Sequence, residues 1–166
     1  MPDQRRHTGT ARRARSLVAL LTAFVILGSL APVPALATAR GNGLRSAANE
    51  ERTSRDVARV AARRVLDSIA TARGRQMADA AALEHNMTYV RRRLRRAGVC
   101  WTRFGEIIAG SQGQYSYGRT IGQWLDSDLH RSIMLDRAYH VAGGSWATDA
   151  DGRHYSVMIF VRLCSR

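Results

Sequence analysis

The run YSVMIFVRL, residues 155 to 163, is apolar at nearly every position. A strand with one wet face alternates apolar and polar residues, so a continuous run of this kind needs cover on both faces. Upstream, YHVAGGSWA (Tyr139 to Ala147) reads as a second strand, joined to the first by TDADGR, a glycine-containing hairpin turn. GEIIAG (Gly105 to Gly110) reads as a third, and Val99-Cys100-Trp101 as a strand start.

Helical spacing dominates the residues before these strands. Leu44 to Thr53 is a short helix containing Asn49-Glu50-Glu51-Arg52, and Ala62 to Ala81 is a longer one with Leu66, Ile69, Met77 and Ala80 on one face. RRRLRR (Arg91 to Arg96) has Tyr89, Val90 and Leu94 at helical spacing and Gly98 as a stop, which predicts one apolar stripe and a solvated arginine face. Tyr117, Ile121, Trp124 and Leu125 fall at i, i+4, i+7 and i+8, an amphipathic helix inserted between strands. Helices followed by an antiparallel sheet, with cover needed on both faces, predict an α+β fold: a three-layer α-β-α sandwich around a small antiparallel sheet. No internal repeat or low-complexity linker argues for a second domain.

The N-terminal residues read as a leader. Arg12, Arg13 and Arg15 precede LVALLTAFVILGSL, Pro32 and Pro34 break the run, and Ala35-Leu36-Ala37 offers small residues where a signal peptidase reads them. Fourteen mostly apolar residues fall short of the roughly 18 to 20 that span a bilayer, which disfavours an anchor. The expected organisation is therefore a secretory signal peptide at 1–37 and a single secreted domain at 38–166, large enough for one core.

The chain has 26 arginines and no lysine, against 13 acidic residues. The leader holds five of those arginines and one acid, so the rest carries 21 against 12, or +9. The arginine bias runs through leader and domain alike, so basicity alone does not argue for a partner, and no nucleic acid is expected. If Arg91 to Arg96 has a partner outside the cell, anionic envelope polymers or lipid headgroups are the accessible ones.

Two cysteines, Cys100 and Cys164, lie at the ends of candidate strands, and export would place them where disulfides persist. A bridge would close a loop of 63 intervening residues, with an upper limit of about 4 kcal/mol in the chain-entropy model. Two buried thiols are the alternative.

The order Asn49-Glu-Glu-Arg, Met77-Ala78, Leu83-Glu-His85, Ala97-Gly98, Gly105-Glu106-Ile-Ile-Ala-Gly110, Trp124 with Ser127 and His130-Arg131, and finally Tyr155 to Phe160 resembles the CAP superfamily. That group joins the cysteine-rich secretory proteins, antigen 5 and the pathogenesis-related plant proteins to small bacterial secreted members. The resemblance covers about residues 44 to 164. It implies a cleft lined by two histidines and one or two acids, which carry over as His85, His130 and Glu106. Two positions depart from the pattern. The usual asparagine after the glutamate is Ile107, and the second acidic position is held by Asp126 or Ser127.

Two imidazoles and a carboxylate from three segments have several uses. They can ligate a divalent metal such as zinc and leave positions for water, or do general acid/base work. They can also form a hydrogen-bonded cluster that locks helix 117–127 onto the sheet. No GxSxG accompanies them. His140 and His154 read as residues at a strand edge. Two functions stay open. One is an extracellular binding module for a lipid, peptide or envelope component, expected to bind rather than turn over its partner. The other is a metal-assisted peptidase or esterase with Glu106 as base and His85 and His130 as ligands.

Overall fold

The computed structural model describes the backbone of residues 33–165 and the side chains of residues 39–165. The expected leader lies outside them except at 33–37, which is helical. In order, the elements are α1 (Val33–Thr53), β1 (Ala61–Ala62), α2 (Arg64–Asp79), α3 (Met87–Arg96), β2 (Trp101–Ser111), α4 (Tyr117–Asp126), α5 (Asp128–Met134), β3 (Val141–Thr148) and β4 (His154–Leu163). The first helix starts well before the expected Leu44. Pro34 falls in its first turn, where a missing N–H breaks no helical bond.

Among the described residues four strands lie in the order β1-β3-β4-β2. β4 is central, antiparallel to β2 on one side and to β3 on the other. Its odd residues Tyr155, Val157, Ile159 and Val161 share a core with Leu66, Ile69 and Met77 of α2 and Val90 and Leu94 of α3. Its even residues Met158 and Phe160 meet Leu44 and Ala48 of α1, Ile121 and Trp124 of α4, and Met134 of α5. This is the three-layer sandwich, and two-sided burial accounts for the unbroken apolar run of β4.

Several boundaries differ from expectation. The sheet is mixed, because Ala61–Ala62 pairs parallel to Val141–Ala142; two residues are too few to leave a periodic signal. That strand replaces the expected start of the second helix, and Ala80 caps the helix's end in an exposed position instead of joining its buried face. The helical insertion is two helices broken at Ser127, whose backbone is extended. Around the arginine helix, Val90 and Leu94 are fully buried and the five arginines are exposed, with Gly98 at φ 62° ending it.

Gly143 lets α2 pass close to β3, since a Cβ there would collide with the backbone of Leu66 and Asp67. Next to it, beyond the short β1, the Gly144 N–H has no strand partner among the described residues and donates to Asp67 Oδ1 at 3.0 Å. Arg45 of α1 pairs with the same oxygen at 3.3 Å. Burial raises the Asp67 carboxyl above the usual range, while the Gly144 amide and Arg45 pull it back.

Cys100 and Cys164 form the expected disulfide, with Cα atoms 5.5 Å apart. It joins the start of β2 to the end of β4, where the Cys164 N–H donates to the Cys100 carbonyl at 3.3 Å.

Candidate functional site

Glu106 lies on β2 with its side chain wholly buried on the α2 side of the sheet. A buried carboxylate needs partners, and it has three. Arg73 Nε of α2 donates to Oε1 at 2.9 Å, while His85 Nδ1 lies 3.0 Å and the Asn86 N–H 3.1 Å from Oε2. Arg73 is itself 2% exposed. Its Nη2 donates to the Glu84 carbonyl at 2.6 Å and its Nη1 to Gln76 Oε1 at 3.0 Å.

The turn that carries His85 is built by the same contacts. Ala81, at φ 49°, ends α2 in the left-handed region. Asn86 then caps α3, its side chain accepting from the Tyr89 N–H. Between these stops, Arg73 holds the backbone before His85 and Glu106 holds the amide after it. With Nδ1 turned to the carboxylate, Nε2 is the nitrogen left for a ligand, and the side chain is 40% exposed.

His130 arrives from the opposite layer on α5. Arg52 of α1 fixes the end of that helix, donating through Nη1 to the carbonyls of Met134 at 2.6 Å and Asp136 at 3.1 Å and through Nε to the Ala58 carbonyl at 2.8 Å. Asn49 anchors the same region through both side-chain atoms to the backbone of Val60. The Asn49-Glu50-Glu51-Arg52 motif thus holds loops in place. The His85 and His130 rings approach to 5.8 Å between centroids, tilted by 52°. Burial first, then His85, lowers the His130 imidazole below the usual histidine range.

Beside His85 and Glu106 opens a groove of about 490 Å³. Met87, Phe104, Leu129, Ile133 and Tyr139 give it an apolar wall, with Arg103 and Ser132 at its margin. Leu129 is 64% exposed and Met87 38%, two of the three large apolar side chains open to solvent among the described residues. The third, Leu83, lies against Gly110.

Of the three expected residues, His85 stands between the other two, 3.0 Å from Glu106 and with its ring 5.8 Å from that of His130. Asp126 is exposed at the end of α4 and Ser127 joins α4 to α5; like His130, neither is among the residues lining the groove. Ile107 is fully buried in the α1-side core. His154 bonds Thr148 and the Gly113 carbonyl at the opposite end of the strand, and the His140 backbone bridges Ala61 and Val161. Arg73 was missed by sequence reasoning. One arginine among 26 carries no signal of burial except its place, four residues before Met77 on the apolar face of α2.

Among the described residues, no group of three or more His, Cys, Asp or Glu side chains is arranged to hold a metal ion. Both Glu106 oxygens face other partners, so its position suits a carboxylate that orients a ligating imidazole more than a ligand itself. The donors open to an ion are the two imidazoles.

A model of the cysteine-rich secretory protein (CAP) family matches residues 45–160. Among solved structures, an outer surface protein from Borrelia burgdorferi has a TM-score of 0.65 at 17% identity, covering 73% of this chain and 90% of that one. A cysteine-rich secretory protein from Staphylococcus aureus has a TM-score of 0.62 at 21% identity, over 75% of this chain. An extracellular protein containing a SCP domain from Bacillus anthracis has 0.61 at 23%, also over 75%. The match spans only 38% and 40% of those last two proteins. No curated protein matches the sequence.

Proposed function

The chain belongs to the cysteine-rich secretory protein (CAP) family, and from that premise we propose that it is a secreted binding domain whose ligand, a lipid, peptide or cell-envelope component, lies in the groove beside His85. One observation carries the reading: Glu106, the one carboxylate of the groove, is held by Arg73, His85 and the Asn86 amide. A general base must be within reach of the proton it takes, and this carboxylate is committed to the fold. Among the described residues no helix is long and apolar enough to cross a membrane.

A divalent ion such as zinc fits this reading as an accessory. His85 Nε2 and a nitrogen of His130 would hold it, and Glu106 would fix the His85 tautomer from behind. Such an ion would supply Lewis-acid character to a bound oxygen. His85 and His130 then orient it, and the groove walls limit water around them.

The test is hydrolysis of peptide and ester substrates by the purified protein, with and without added zinc, beside binding of dodecanoate and of short peptides. Binding without turnover is expected, and binding should weaken in Leu129→Glu, an exposed position whose change leaves the core intact. Metal-dependent turnover that disappears in His85→Gln would replace this reading with the metal-assisted hydrolase.

A further inference from the structure

α3 gives the groove Met87, from its first turn; the arginines that follow, Arg91, Arg92, Arg93, Arg95 and Arg96, are all exposed. Arginine is frequent throughout the chain, so their number alone decides nothing. What sets this helix apart is the lack of acids around it. Elsewhere Arg55 pairs with Glu51, Arg131 with Asp128 and Arg103 with Asp136. α3 contains no carboxylate of its own, and among the described residues none from another element lies within salt-bridge distance of its arginines.

Helical spacing then sets like charges side by side. Arg91 faces Arg95 and Arg92 faces Arg96 at i and i+4, while Arg92 with Arg95 and Arg93 with Arg96 stand at i and i+3, and each such pair repels. The negative end of a helix dipole amounts to about half a charge, against which these cations are in large excess. Without an anion the run weakens the helix that carries it.

The run also wraps its helix. At about 100° per residue, Arg91, Arg95, Arg92, Arg96 and Arg93 follow one another around an arc of about 200°. The remainder is the stripe of Val90 and Leu94, both fully buried. Contacts mark the two ends of the arc. Arg91 stands 6.0 Å from the Phe104 ring, on the β2 side. Arg93 and Arg96 stand on the α2 side, where with Val65, Ser68, Ile69 and Ala97 they line a recess of about 240 Å³. Arg64, exposed and one turn before Ser68 on the same face of α2, continues the cationic track.

We propose that α3 is a second binding surface, for a flexible anionic polymer of the cell envelope whose charges are phosphodiesters. This goes beyond the groove and shares with that reading only the secreted location. A guanidinium fork takes two phosphate oxygens at once. A flexible chain follows the arc from Arg91 to Arg93 and seats one of its linkers in the recess, against the apolar Val65 and Ile69. A bilayer is flat and would meet one side of the helix. It would also find nothing to insert from the arginine face: Val90 and Leu94 belong to the core, and Tyr89 packs against that core with Arg92 and Arg93 over its ring.

The probe is synthetic poly(glycerol phosphate), titrated onto the purified protein at about 50 and 200 mM salt, where phosphate contacts that release counterions should weaken steeply. Arg91→Gln with Arg95→Gln, at one end of the arc, should lower affinity on the order of tenfold, and so should Arg93→Gln with Arg96→Gln at the other. Glutamine is a good helix former, so both variants keep the fold. Arg55→Gln with Arg119→Gln removes the same charge from exposed positions elsewhere and should stay within about twofold of wild type, because salt screens distant charges. An equal loss in that control means attraction to net charge alone and overturns the site. Loss at one end only overturns the wrapped chain. Tighter binding of phosphatidylglycerol vesicles, or of an oligothymidylate of equal charge, overturns the polymer in favour of a membrane or a nucleic acid. No binding of poly(glycerol phosphate) at either salt overturns the proposal and leaves the groove reading standing.

Discussion

Arg73 and Glu106 meet at 2.9 Å with 2% and 0% of their side chains exposed. Two ions in so dry a place each depend on the other, because removing one leaves a buried charge with nothing opposite. The pair therefore underlies the His85 turn: Arg73 holds the Glu84 carbonyl, and Glu106 holds His85 and the Asn86 amide.

Arg73→Met is expected to destabilise the fold by about 3 to 5 kcal/mol in urea unfolding. Adding Glu106→Leu should recover part of that loss, since an apolar pair strands no charge. A double variant no more stable than Arg73→Met would mean that the ion pair is not the origin of the loss.

Reducing the Cys100–Cys164 bond should lower stability by about 2 to 4 kcal/mol. Non-reduced protein should weigh two hydrogens less than its dithiol form. Two thiols that alkylate without reductant would contradict the bond. The Cys100→Ser, Cys164→Ser double variant should show the same loss and become indifferent to reductant.

Stability should also fall as the medium is acidified. His130 has its folded-state pKa lowered by burial and by His85. The unfolded chain therefore binds its proton at higher pH than the native one, and stability declines as pH drops below about 6.5, the unperturbed histidine value. The decline levels off once pH has passed the folded value. Tm measured from pH 8 to 5 should follow this course, with a shallower slope in His130→Gln; equal slopes would exclude His130 as a source.

Gly143→Ala places a methyl group on the backbone of Leu66 and Asp67. Neither can yield without lifting α2 from β3, so the expected loss is about 3 kcal/mol or more, at the upper end for overpacking. Gly122→Ala makes a fitting control: a Cβ there meets nothing within 4 Å, and its stability should match or exceed wild type.

The parts of this molecule visible in its sequence are those with a period or a rare residue. β4 announced two-sided cover by lacking alternation, α4 showed its stripe, and five histidines in 166 residues made His85 and His130 stand out. The disulfide followed from two cysteines at strand ends. What stayed hidden depends on tertiary contact. β1 is two alanines that become a strand only because β3 lies beside them, and the break at Ser127 splits a helical run without a proline or glycine. Arg73 looks like every other arginine until α2 is folded onto β2. The second acidic position is a different case: motif order suggested Asp126 or Ser127 for the cleft, and the structure places the first at the end of α4 and the second at the break before α5.

Gly144 offers its amide to a carboxylate from α2 instead of a neighbouring strand. That carboxylate also receives Arg45 from α1, the helix on the other side of the sheet. Exchange of this one amide with deuterium therefore requires α2 to release Asp67, while the β3–β4 ladder can remain closed. Against its strand-paired neighbours, the Gly144 amide serves as a built-in clock for separation of the helical layers, reporting a partial opening that a global unfolding curve would average away.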